Sequence, residues 1–145
     1  MTIRILAIGD TANNIAVLKK FVQKSKIHLI NFPRKGAAVF TYVDDIDFFD
    51  SLKISKQVKK INKIKENFDL CIVMSWAGAR IAYLADLNYI MYFVGGDIVT
   101  PPFVKNAGLN YLNEPIRTLN FVERRFYRNV FDNAIACVTT TKDYF

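Results

Sequence analysis

The run LCIVM at residues 70–74 decides the fold class, because it is apolar throughout and does not alternate with polar residues. Such a run is typical of a strand in a parallel sheet that is covered on both faces. Four further runs share this pattern and are predicted as buried strands: residues 3–8, 27–31, 89–94 and 134–139. A shorter stretch at residues 37–42 is predicted as an edge strand.

Helical patterns lie between the predicted strands. Residues 51–68 carry apolar side chains at spacings of two to four, which is the stripe of a helix that faces a core. Asp50 and Ser51 are predicted to cap the start of this helix. Three further helices are predicted at residues 13–24, 78–87 and 114–131. The alternation of strand and helix predicts a Rossmann-like, three-layer α/β domain with a mainly parallel sheet.

Length and charge narrow the functional classes. A chain of 145 residues suits one domain with a real core. The chain has 20 Lys and Arg against 13 Asp and Glu, and the net charge of +7 favours an anionic partner: nucleic acid, an acidic lipid surface or a phosphorylated ligand. No apolar run approaches the roughly 20 residues that span a bilayer.

The two cysteines, Cys71 and Cys137, both lie in apolar runs. This context predicts reduced core thiols in a cytosolic protein rather than a disulfide scaffold or a zinc site. The last predicted strand is followed by only a few residues, without a covering helix. We therefore expect the chain to be a fragment of a longer protein, a truncated gene product or one subunit of a split enzyme.

Ligands of parallel α/β sheets bind beyond the carboxyl ends of the strands, so the residues after each predicted strand are the candidate sites. The first strand is followed by Gly9 and Asp10, at the start of a predicted helix. A glycine and small polar residues at this position can bring backbone N–H groups to an anion. The alternative is a tight turn in which Thr11 or Asn13 caps the helix.

The third strand is followed by Ser75 and Trp76, the latter being the one tryptophan of the chain. Trp76 either stacks on a sugar ring or covers the edge of the sheet. Ser75 is not predicted to be a nucleophile, because Val73 and Ala77 occupy the positions of the two glycines in a nucleophile elbow.

The fourth strand is followed by Gly95, Gly96 and Asp97, which form the strongest local signal in the chain. Two glycines permit close approach of the backbone to a ligand, and Asp97 places a carboxylate at the strand end. The alternative is a plain turn in which Asp97 acts as a cap.

One acidic and one basic cluster are predicted to stabilise or solvate a helix rather than to bind a ligand. Asp45 and Asp47 form a D-x-D pair, but they precede a predicted helix whose dipole favours acids, so no metal site is predicted. The lysines of residues 51–68 are predicted to form a solvated helix face, with anionic lipid as the alternative partner. His28 is the single histidine, which excludes a histidine-based triad.

Taken in order, several stretches resemble the N-terminal, acceptor-side domain of GT-B-fold glycosyltransferases of the group-1 (GT4-like) kind. IRILAIG at residues 3–9 is similar to the first strand and glycine loop of that family. YFVGGDI at residues 92–98 is similar to its aromatic strand and the turn after it. LNFVERRFY at residues 119–127, followed by AIACVT at residues 134–139, resembles its last helix and strand before the second domain.

The resemblance implies half of a sugar-transfer cleft. It implies that a sugar or lipid-linked acceptor binds here, and that a second Rossmann-like domain or a partner chain holds the nucleotide-sugar donor. We expect that donor-binding domain to lie outside these 145 residues. The resemblance implies Asp97 as a catalytic residue at the transfer site, and as substrate-binding residues Gly9, Asp10, Ser75, Trp76, Gly95 and Gly96. No cofactor and no metal are implied.

Two alternatives stay open. The chain is alternatively a non-catalytic Rossmann-like module for a phosphorylated ligand or a protein partner. It is also a candidate for a membrane-surface adaptor, which would use the lysine-rich helix at residues 51–68. No nucleic-acid-binding motif is present, so nucleic acid is a minor alternative. We expect a cytoplasmic protein that can be peripheral to an anionic membrane.

Overall fold

The computed structural model describes residues 2–10, 13–32, 46–93 and 119–139. These residues form one six-stranded sheet in which every paired strand runs parallel to its neighbour. The strands are β1 Ile3–Ile8, β2 Ser25–Asn31, β3 Asp47–Phe48, β4 Leu70–Met74, β5 Tyr89–Phe93 and β6 Ala136–Thr139. The predicted mainly parallel sheet is confirmed.

Helices connect the strands and cover the sheet. In the described part of the chain they are α1 Asn14–Phe21, α2 Ile54–Asn62, α3 Ser75–Leu84 and α4 Phe121–Asp132, with a 3-10 turn at Lys65–Asn67. No described helix has both the length and the apolar character needed to cross a membrane.

The strand order is β3-β2-β1-β4-β5-β6, which places the reversal of the order between β1 and β4. Ile8 of β1 is aligned with Val73 of β4, so Gly9, which leaves the sheet after β1, lies beside Met74, the last residue of β4. In open α/β sheets this reversal creates a crevice beyond the carboxyl ends of the strands.

The core consists of two layers, one on each face of the sheet. One face carries Leu6, Ile8 and Val73 and packs against residues of α2, α3 and α4. The other face carries Ile5, Ala7, Ile27 and Leu29 and packs against α1. The arrangement of helix, sheet and helix is the predicted three-layer architecture.

The start of α2 differs from the prediction. The helix begins at Ile54, and its N-cap is Lys53, which makes no side-chain capping bond. Capping by Asp50 and Ser51 is therefore wrong. The hydroxyl of Ser51 instead accepts a hydrogen bond of 3.2 Å from the backbone N–H of Lys53, which closes a turn before the helix.

The start of α3 and the presence of β3 also differ from the prediction. Helix α3 begins at Ser75, directly after β4, rather than at Gly78. Strand β3 was not predicted, because it is two residues long and lies next to acidic residues that are unfavourable in strands. The edge strand predicted at residues 37–42 lies outside the described residues.

The two cysteines occupy different environments, and both are free thiols. Cys71 is buried, and burial raises the pKa of its thiol to about 12. Cys137 is exposed on β6, which is an outer strand of the sheet. The prediction of a core thiol is confirmed for Cys71 and wrong for Cys137.

Candidate functional site

Gly9 occupies the turn at which β1 leaves the sheet. Its φ is +80°, a conformation that residues with a Cβ rarely adopt. A Cβ at this position would lie 3.0 Å from the carbonyl oxygen of Met74 and 3.0 Å from the ring of Phe32. The backbone N–H of Gly9 donates to the carbonyl of Ile30 at 2.9 Å. The absence of a side chain therefore lets three strand ends meet at the switch point.

Asp10 is buried, with 1% of its surface exposed. One carboxylate oxygen accepts a hydrogen bond of 2.8 Å from the backbone N–H of Ala16, in the first turn of α1. Asn13 stands at the N-cap of α1 with a φ of +57°, and its side chain makes no capping bond. Capping by Asn13 is therefore wrong, because the carboxylate of Asp10 serves this helix end; Thr11 lies outside the described residues.

Ser75 stands at the junction of β4 and α3 with a φ of +69°. A residue with a side chain is strained in this region, and such strain persists only where the surrounding structure holds it. One turn later, a Cβ on Gly78 would lie 2.8 Å from the carbonyl oxygen of Ile8. Gly78 thus brings α3 against the end of β1.

An open cleft lies between the first turns of α3 and α4, at the carboxyl edge of the sheet. Its volume is about 470 Å³. It is lined by Trp76, Arg80, Leu119, Val122, Glu123, Phe126 and Tyr127. The structure therefore places Trp76, which was predicted to bind substrate, in the lining of a cleft. Ser75, the residue before it, does not line this cleft.

Aromatic side chains form one wall of the cleft. The rings of Trp76 and Tyr127 meet edge to face, with centroids 5.2 Å apart. Phe126 and Tyr127 meet in the same way at 5.4 Å. Burial raises the pKa of the Tyr127 hydroxyl, and the nearby Arg80 opposes this shift in part. These contacts fix Trp76 while leaving it half-buried.

Arg80 supplies the positive charge of the cleft. It follows Trp76 by four residues on α3, so the two side chains share one face of the helix. Its Nε atom is buried and has no hydrogen-bond partner among the residues that the structure describes. The guanidinium donates a hydrogen bond to the hydroxyl of Tyr127, and the residue as a whole is partly exposed. A guanidinium beside an aromatic wall is suited to a ligand that carries phosphate or hydroxyl oxygens.

The other charged groups at the cleft are engaged in the start of α4. The backbone N–H of Asn120 donates to Glu123 at 3.0 Å, and the Asn120 side chain accepts from the Glu123 N–H at 2.9 Å. Arg124 donates to the carbonyl of Leu119 at 3.1 Å. Glu123 and Arg124 therefore hold the wall in place at the start of α4.

Sequence reasoning did not single out Arg80 as a site residue. The signal was its spacing of four from Trp76, which is visible only once Ser75 is known to begin the helix. Gly95, Gly96 and Asp97, the residues predicted at the transfer site, lie outside the described residues.

Asp47 of the predicted D-x-D pair lies in β3. Lys60 of α2 donates to its carboxylate at 2.9 Å, and the imidazole of His28 lies 3.8 Å from it. Burial raises the pKa of Asp47, but its hydrogen bonds with Lys60 and the backbone of Phe48 outweigh burial and lower it overall. Within the described ranges, no three His, Cys, Asp or Glu side chains are grouped in a way that could hold a metal ion.

Comparison with known proteins does not identify a function for this chain. No protein-family model matches the chain, and no curated protein matches its sequence.

Proposed function

We propose that this chain is the acceptor-side half of a GT-B-type glycosyltransferase, and that the cleft beside Trp76 receives the sugar acceptor. The observation that carries the proposal is the pairing of Trp76 and Arg80 in one open cleft at the carboxyl edge of a parallel sheet. The resemblance of the sequence to the family's acceptor-side domain supports the same function.

The chemistry of the cleft fits a sugar that carries a phosphate. An aromatic face gives a large, rigid apolar surface for the C–H side of a sugar ring. The guanidinium of Arg80 offers planar, charge-assisted hydrogen bonds to phosphate or hydroxyl oxygens. Together they orient an acceptor at the edge of the sheet where the second lobe of a GT-B enzyme would close.

The remaining predicted residues have supporting roles in this proposal. Gly9 and Asp10 form the base of the acceptor side of the sheet edge, because both are buried in the turn that follows β1. Ser75 lies next to the acceptor. Gly95, Gly96 and Asp97 contact the sugar being transferred, and Asp97 acts at the reaction centre. A second domain or a partner chain delivers the nucleotide-sugar donor, and closure of the two lobes excludes water.

Binding can be followed directly, because Trp76 is the one tryptophan of the chain. Titration with a hexose 1-phosphate is expected to change its fluorescence with saturation. Arg80→Gln should weaken binding by about tenfold or more, since hydrogen bonds to charged groups contribute about 1.5–3 kcal/mol. Arg125→Gln is the matched control, because Arg125 is exposed on α4 and does not line the cleft. Equal affinity of both variants would contradict the proposal.

Transfer is tested by adding donor-binding domains of GT-B enzymes and nucleotide sugars to this chain. We expect sugar transfer with a cognate domain, and loss of transfer with Asp97→Asn. Absence of both transfer and association in every combination would contradict the split-enzyme proposal.

The second candidate function is a non-catalytic module for a phosphorylated ligand, which the positive charge of Arg80 at the cleft also favours. The two differ in the ligand of the isolated chain. A nucleoside diphosphate that binds this chain alone in the micromolar range would favour the module, because the transferase proposal assigns the nucleotide to the other lobe.

A further inference from the structure

Helix α1 is apolar on the side that faces away from the sheet. Ile15 and Ala16 are buried against the sheet. Val17 and Phe21 are one turn apart and share the opposite side of the helix, with Leu18 next to them. Their exposed fractions are 48% for Val17, 41% for Leu18 and 71% for Phe21. A helix that covers a sheet normally presents polar residues on this side.

The segment of the chain that carries this apolar surface is basic and contains no acidic residue. Residues 13–32 include four lysines, at positions 19, 20, 24 and 26, and neither Asp nor Glu. Lys20 lies within α1 and Lys24 follows it, and both are exposed. Exposed aliphatic and aromatic residues flanked by lysine are the composition of helices that lie in the interface of an anionic bilayer.

Helix α2 gives the contrast within the same molecule. Its apolar residue Ile61 is buried, its outer side exposes Lys56 and Lys59, and Lys63 is exposed at its C-cap. This is the ordinary pattern of a solvated covering helix. The helices α1 and α2 pack on opposite faces of the sheet. Lysines are therefore exposed on both faces of the molecule. Only those of α1, of these two helices, flank the exposed apolar surface described above.

We propose that the outer side of α1, formed by Val17, Leu18 and Phe21 with Lys20 and Lys24, docks onto anionic phospholipid. Phe21 enters the interface between headgroups and acyl chains, and the lysines meet the negative surface. This surface differs from the lysine-rich helix α2 that the sequence analysis considered for lipid. The proposal goes beyond the acceptor cleft and does not depend on it.

Vesicle sedimentation tests the docking surface on the full chain. The vesicles are pure phosphatidylcholine, or equal parts of phosphatidylcholine and phosphatidylglycerol. We expect the chain to sediment with the anionic vesicles and to be released by high salt. Phe21→Ser should lower the partition coefficient by about tenfold. The matched control is Phe121→Ser, because Phe121 is exposed to a similar extent, 69%, on α4; it should bind like the wild type.

A charge-matched pair separates docking from general attraction. The double variant Lys20→Gln/Lys24→Gln should bind about tenfold or more weakly, whereas Lys56→Gln/Lys59→Gln, with the same loss of charge on α2, should change little. Circular dichroism spectra identical to the wild type would establish that the variants fold.

Three results would overturn the proposal. The first is no sedimentation with anionic vesicles. The second is an equal loss for the two lysine pairs together with no effect of Phe21→Ser. The third is a dimer in analytical ultracentrifugation that Phe21→Ser converts to a monomer, without vesicle binding, because a second copy would then be the occupant of this surface.

Discussion

The side chain of Asn31 and the backbone of Asp10 exchange two hydrogen bonds at the carboxyl ends of β2 and β1. The N–H of Asp10 donates to Oδ1 of Asn31 at 3.1 Å, and Nδ2 of Asn31 donates to the carbonyl of Asp10 at 3.0 Å. The same Oδ1 accepts the N–H of Phe32 at 2.9 Å. One buried amide therefore fixes the paths of two chain segments at the edge of the candidate site.

Asn31→Ala should lower the free energy of unfolding by about 2–3 kcal/mol, because it removes the three hydrogen bonds that the Asn31 side chain makes with the backbone of Asp10 and Phe32. Urea denaturation measures the change. Asn62→Ala, at an exposed position of α2, is the control and should stay within about 0.5 kcal/mol of the wild type. A loss of similar size in both variants would contradict this role of Asn31.

Ser75→Gly should stabilise the protein by about 0.5–1 kcal/mol, because glycine adopts the φ of +69° without the strain of a Cβ. The thermal unfolding midpoint should rise. Asp86→Gly is a comparison variant, since Asp86 also has a positive φ, +56°, away from the cleft. If Asp86→Gly stabilises and Ser75→Gly destabilises, the hydroxyl of Ser75 makes a contribution that this account lacks.

The boundaries of the strands and helices show how much of the fold could be predicted from the sequence. The bounds of β1 and β4 match the prediction. A strand that is covered on both faces is a nearly continuous apolar run, so its own residues are enough to predict it. The start of α3 at Ser75 could not be predicted in the same way, because Ser75 adopts a positive φ, which is uncommon for a residue with a side chain.

The candidate site was predictable in part for a similar reason. Trp76 was found because it follows a strand and strand ends form sites in this fold. Its cleft depends on Tyr127, which is about fifty positions away in the chain and meets Trp76 only through the packing of α4 on α3. Arg80 gains significance only from that packing. Asp10 was predicted to bind substrate, and that role stays a prediction. Its hydrogen bond to the N–H of Ala16, six residues later, is a local contact at the start of α1 that the sequence analysis had assigned to Thr11 or Asn13.

The stability of the Asp47–Lys60 pair should depend on pH. The pKa of Asp47 is lowered in the folded state, so the pair contributes stability above the unfolded pKa of about 4 and loses it as the pH falls through the folded value. Asp47→Asn should therefore be less stable than the wild type at pH 7. The difference should stay below about 1 kcal/mol, because both side chains are partly exposed to solvent.

Urea denaturation of both proteins between neutral and acidic pH measures this difference. It should shrink as the solution becomes more acidic, and salt should reduce it at neutral pH. A difference that is constant across the pH range would show that the carboxylate charge is not the cause.

The two thiols should differ in reactivity. Burial raises the pKa of Cys71 to about 12, so a disulfide reagent at mildly alkaline pH should leave it unmodified in the folded protein. Cys137 is exposed and should react. We expect one fast thiol in the wild type, none in Cys137→Ser, and two after unfolding in guanidinium. Fast reaction of Cys71 in folded Cys137→Ser would contradict its burial.

The most direct test of the central claim is a nuclear magnetic resonance titration of the isotope-labelled chain with a hexose 1-phosphate. The proposed acceptor cleft predicts that shifts of backbone amides concentrate at Ser75–Arg80 on α3 and at residues 119–123 at the start of α4. It also predicts that Arg80→Gln weakens these shifts. Saturating shifts confined to other parts of the sheet, or no shifts at millimolar ligand, would contradict it.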